Sequence, residues 1–134
     1  MSLEIRERER EGVSILDLNG RLTVGDECSK FRDRMNQLIA SGARNIILNM
    51  AQVDYVDSTG LGALVMYYTT LQRDGGKVKL LNLTRRSIEL LVMTKLTTIF
   101  EVFDDEQNAI NSFFPDREIK RFDILNFVQQ MKEE

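Results

Sequence analysis

Ile46, Ile47, Leu48, Asn49 and Met50 form a short, nearly continuous apolar run. A strand that covers a core on one face alternates apolar with polar residues, whereas a run of this kind needs cover on both faces, as in the inner strand of a parallel sheet. The downstream residues fit that requirement. Leu61, Leu64, Val65, Tyr68 and Leu71 recur at helical spacing from a start near Ser58 to a stop at Gly75 and Gly76. Val78, Leu80, Leu81 and Leu83 then mark another strand, and Thr84 can cap a helix whose apolar residues include Ile88, Leu91 and Val92. Residues 99 to 103 read as a last strand. Asp104 with Gln107 has the form of a capping box opening a helix with Ala109, Ile110 and Phe113. Pro115, the only proline, breaks the pattern.

Upstream, residues 3 to 9 and 13 to 18 read as two strands joined near Gly12, a hairpin whose mixed charges from Arg6 to Glu11 suit a solvated sheet edge. Thr23 to Glu27 supplies a loop and an acidic first turn. Cys28, Phe31, Met35, Leu38 and Ile39 then form the stripe of a first helix that Gly42 can end. The alternation implies an α/β fold, a single domain over residues 1–114 with a mixed, mostly parallel sheet of about five strands and about four helices. Residues 115–134 form a helical extension in which Ile119, Phe122, Leu125, Val128 and Met131 repeat at helical spacing. It docks on the domain, covers a sheet edge, or joins a second copy in a homodimer, and the pattern leaves these open.

Composition narrows the chemistry. The chain has 134 residues, 43% of them hydrophobic, and a net charge of −3 with scattered basic residues, so it carries no footprint for nucleic acid. No apolar run approaches the roughly 20 residues that cross a bilayer. The one cysteine, Cys28, lies on a helical stripe as core, and with no signal-like start this favours a cytoplasmic setting. There is no histidine. Histidine-activated serine or cysteine nucleophiles and the usual zinc sites are thereby excluded, and the expectation is a non-enzyme with no cofactor and no metal.

The informative stretch is Asp57-Ser58-Thr59-Gly60-Leu61-Gly62, between the buried run and an amphipathic helix. Ser58 is placed to act as an N-cap, which is its purely structural reading. The carboxyl end of a central strand is also where open α/β sheets present functional groups. Gly60 and Gly62 each cost about 1 kcal/mol in a helix relative to alanine, which suggests a contact surface that another protein approaches closely. The partial match of Gly60-Leu61-Gly62-Ala63-Leu64-Val65, with Asp74, to a dinucleotide fingerprint lacks the third glycine, and no P-loop sequence is present.

These residues resemble the bacterial anti-sigma factor antagonists, stand-alone members of the STAS domain family. The likeness runs from the first strand to about Phe114. It is carried by the Asp57–Gly62 motif, Gly20-Arg21-Leu22-Thr23, Gly75-Gly76 and Thr94-Lys95-Leu96. The resemblance implies that Ser58 is phosphorylated by a partner that is both anti-sigma factor and serine kinase. It further implies that the unphosphorylated form captures that partner and frees a sigma factor, and that a PP2C-type phosphatase restores it. Thr59 stands where a second serine is frequent, and the tail after Pro115 extends past the usual end of such domains. Arg21, Asp26, Asp57, Ser58, Thr59, Gly60 and Gly62 are the expected partner surface. Two other readings are a scaffold module of a signalling or transport-regulating assembly, with Ser58 only a cap, and a nucleotide-binding module.

Overall fold

The computed structural model describes residues 2–133. Its elements are β1 (Leu3–Arg10), β2 (Val13–Leu22), α1 (Asp26–Ala40), β3 (Asn45–Val56), α2 (Ser58–Arg73), β4 (Lys77–Leu81), α3 (Arg85–Met93), β5 (Val102–Phe103), α4 (Glu106–Asn111) and α5 (Ile124–Glu133). The five strands form one sheet in the order β1-β2-β3-β4-β5, with β1 antiparallel to β2 and every later pair parallel. This is the mixed α/β sheet that the strand and helix alternation called for.

The run in β3 is apolar on both faces because the sheet is covered on both. Ile46, Leu48 and Met50 enter a large core with Phe31, Met35, Leu64, Tyr67, Leu71 and Leu91 from the first three helices. Ile47 points the other way, into a smaller core with Val13, Ile15, Leu81, Phe103, Ala109 and Ile110 under α4. The short α4 is also held by charge: Arg8 binds both Asp17 and Glu106, and Arg10 reaches Glu106 as well.

Several local expectations change in detail. Strands β2 and β3 run several residues past their apolar cores to Leu22 and Val56, because parallel pairing between them continues to those ends. The last strand is only Val102–Phe103, since Leu96–Thr98 coils into a 3-10 turn first. The cap of α4 is Asp105, whose carboxylate accepts from the Asn108 N–H at 2.9 Å, so the cap expected at Asp104 sits one residue later, and Gln107 instead bonds Arg10, Glu11 and Asn111. Thr84 caps α3 as expected, accepting from the Ser87 N–H, but Val92 faces partly outward and Ile88 and Leu91 carry the burial. The α2 stripe is rotated from its expected line toward Gly60, Ala63 and Tyr67. Small residues let the helix sit close to the sheet while the Tyr67 hydroxyl reaches α1, donating to Asn36 Oδ1 at 2.8 Å.

Strand β4 hides one charge. Lys79 is 2% exposed and donates to the Ser112 carbonyl and hydroxyl, pairs with Glu101 at 3.0 Å, and lies 4.5 Å from the Phe113 ring centre. Burial lowers its pKa against the opposing pull of Glu101.

The extension lies on its own domain. Arg117 pairs with Glu11, Arg121 pairs with Glu101 at 2.8 Å, and the Phe122 N–H donates to the outward Val102 carbonyl at 3.1 Å. Phe122 and Ile124 pack on the large core. This segment therefore both docks on the domain and covers the β5 edge. Helix α5 buries no residue fully, and Leu125, expected on the packed stripe, is 81% exposed. Phe122→Ala should lower the unfolding free energy by about 1–2 kcal/mol, the scale for a partly buried aromatic. Urea denaturation measures it, and hydrogen exchange should show the backbone amide at position 122 losing protection.

Candidate functional site

At the carboxyl end of β3 the backbone turns directly into α2, and the cap at that corner is Asp57, not Ser58. Asp57 Oδ1 accepts from the Gly60 N–H at 2.8 Å, and Oδ2 accepts from the Val24 N–H at 2.9 Å. One carboxylate therefore ties the start of α2 to the loop between β2 and α1. Desolvation at the corner pushes its pKa up, but the N–H groups of Gly60, Val24 and Thr59 outweigh that and hold it below the usual carboxylate value. Ser58 becomes the first helical residue, exposed, its hydroxyl released from the capping role expected of it.

The two glycines divide their work. A Cβ on Gly60 would stand 2.0 Å from the Leu22 carbonyl oxygen, so this glycine exists to let α2 press against the end of β2. It is buried and does not belong to an accessible partner surface as expected, because the close approach it permits is to the chain's own strand. Gly62, two positions further along the helix, meets nothing within 4 Å and lies in the open.

Of the other residues singled out, Arg21 is exposed near the end of β2, opposite Tyr55 of β3. Asp26 is exposed as the first residue of α1, and Thr59 is half-buried beside Ser58. The fold therefore gathers the β2–α1 loop and the β3–α2 corner on one rim of the sheet, through the Asp57–Val24 bond.

Sequence reasoning missed the apolar part of this rim. Val24 is 66% exposed, Tyr55 44% and Met93 81%. A groove of about 450 Å³ runs between the α2 start and α3, with Asp57, Ser58 and Leu61 on one wall and Arg86, Leu90 and Met93 on the other. Tyr55 and Met93 line this groove, and Val24 is joined to its Asp57 wall through its backbone N–H. Two signals were available: Val24 is a lone aliphatic residue in a loop, and Met93 lies two positions after the buried Leu91, off its stripe.

Residues 4–109 match the STAS domain family. The chain is a STAS domain protein. It is 28% identical over 111 residues to the anti-sigma F factor antagonist of Paenibacillus polymyxa, covering 82% of this chain and 94% of that one. It is also 28% identical over 110 residues to the anti-sigma-B factor antagonist of Bacillus subtilis, covering 82% and 99%. In structure it resembles the anti-sigma factor antagonist SpoIIAA in its unphosphorylated form, with a TM-score of 0.72 at 20% identity over 86% of this chain and 100% of that one. The phosphorylated form of Bacillus SpoIIAA gives 0.65 at 20% identity, over 82% and 99%. At those identities the structural likeness concerns the STAS fold.

Substitutions at the corner should separate these roles. Gly60→Ala should destabilise the protein by at least about 2 kcal/mol through the backbone collision, whereas Gly62→Ala should stabilise it by up to about 1 kcal/mol through helix propensity. Urea midpoints give both signs. Asp57→Ala should cost about 1–2 kcal/mol as a lost cap. Because the folded pKa of Asp57 is depressed, its contribution is complete above the unfolded value near about 4 and is lost as pH falls through the folded one. The gap between wild type and Asp57→Ala should therefore narrow below about pH 4 in pH-dependent unfolding.

Proposed function

We propose that this STAS domain is an anti-sigma factor antagonist whose binding is switched by phosphorylation of Ser58. The observation that carries the reading is the division of labour at the corner: Asp57 holds the helix start, so the exposed Ser58 hydroxyl can be modified without dismantling the fold. The names of the curated relatives support it, as does the existence of SpoIIAA in both unphosphorylated and phosphorylated forms. On this reading the unmodified chain binds an anti-sigma factor that is also a serine kinase, a sigma factor is released, and a PP2C-type phosphatase resets the protein. Val24, Tyr55 and Met93 supply the apolar contact, with Arg21, Asp26, Asp57, Thr59 and Gly62 around it. The division of the chain into a STAS domain over residues 1–114 and an extension over 115–134 belongs to the same proposal.

The switch follows from where the charge lands. A phosphate brings about −1.5 to −2 charges, and in the free protein the N–H groups of the first α2 turn and surrounding water accommodate it. A partner seated on the apolar rim removes that water and leaves the phosphate beside Asp57. A loss of about 2.7 kcal/mol weakens binding about a hundredfold, and no rearrangement of the domain is needed.

Incubation with the cognate kinase and ATP should add one phosphate, which Ser58→Ala abolishes while still binding. Ser58→Asp should separate stability from affinity, since an acidic first-turn residue keeps or slightly raises the melting temperature while partner binding falls by tenfold or more. Equal affinity of Ser58→Asp and wild type, measured by calorimetry, favours the constitutive scaffold reading instead.

A further inference from the structure

The groove beside Ser58 holds a cation without an evident structural task. Arg86 is the one positively charged residue among those lining it. It is exposed, and no carboxylate lies within ion-pairing distance of it among the described residues. Its guanidinium rests over the Tyr55 ring, 5.6 Å from the ring centre, and donates one hydrogen bond, at the long limit of 3.4 Å, to the Asp54 carbonyl. Its position in the helix does not explain it either. Arg85 and Arg86 open α3, whose first turn has no acidic residue, although peptide dipoles disfavour positive charge at a helix start. Arg85 is matched by Glu89 one turn on. Arg86 and Ser58 line the same groove.

We propose that Arg86 is the internal receptor for a phosphate on Ser58, leaving the face of Tyr55 to pair with it across the groove. The inference rests on Ser58 as the modified residue and adds what the modification does to the surface. A guanidinium is planar and offers a fork of N–H donors that matches phosphate oxygens, and the bonds it gives up are a weak stack and a stretched hydrogen bond. The remaining charges facing the groove do not compete as receptors: Asp57 and Glu89 are acidic, Asp57 already accepting two N–H groups and Glu89 already paired with Arg85. Drawing Arg86 across the groove covers apolar wall and uncovers Tyr55. The modified surface then differs from the unmodified one in shape as well as charge.

The test uses the full chain with phosphoserine installed at position 58 during translation, so that it does not depend on a kinase choosing that residue. Phosphorus NMR follows the second ionisation of the phosphate against pH in wild type, Arg86→Gln, Arg86→Lys and the control Arg85→Gln. In wild type the midpoint should lie below the value near 6 of free phosphoserine. Arg86→Gln should raise it by about half a unit, a threefold change in proton affinity, with Arg86→Lys between them and Arg85→Gln like wild type. The Tyr55 ring resonances should shift on phosphorylation in wild type and not in Arg86→Gln. Equal midpoints for wild type and Arg86→Gln, or an equal rise in Arg85→Gln, overturn the assignment. Failure of Ser58 as the natural switch would appear in the partner-binding experiment and leave this titration untouched.

Discussion

The rim of this domain depends on one close contact: the backbone of α2 at Gly60 lies directly against the last carbonyl of β2, and Asp57 locks that approach by serving the Gly60 and Val24 amides together. With a side chain at position 60 the helix would have to stand off, and the loop carrying Val24 would lose its anchor. Everything exposed nearby is positioned by this arrangement. Structural duty falls on the aspartate and the first glycine, while the serine and the second glycine are left at the surface.

The architecture was legible because its signals are periodic. The two-sided run at Ile46–Met50, the stripes of α1 and α2, and the caps and stops between them led to a mixed sheet with crossover helices. What escaped was decided by neighbours instead of by the local pattern. The shift of the α2 stripe toward Ala63 and Tyr67 depends on how near that helix lies to the sheet, and the shortness of β5 depends on a 3-10 turn before it. Lys79 looks like a surface lysine in sequence, yet Glu101, Ser112 and Phe113, all distant along the chain, make its burial tolerable.

The same limit applies at the candidate site. The sequence marks Ser58 through the Asp-Ser-Thr-Gly-Leu-Gly stretch, but a serine and an aspartate side by side are both competent caps, and only the direction of the chain at the corner selects Asp57. The apolar contribution from Val24, Tyr55 and Met93 is discontinuous, assembled from a loop, a strand end and the last residue of a helix. No single window of sequence contains it.

The extension has a consequence for how the chain behaves in bulk. A flank strand with outward carbonyls is a template for adding strands from other molecules, and here Phe122 occupies the Val102 carbonyl on one flank while the alternating charges of β1 guard the other. With one flank capped by the tail and the other lined with charge, the sheet offers a poor template for a strand from another molecule.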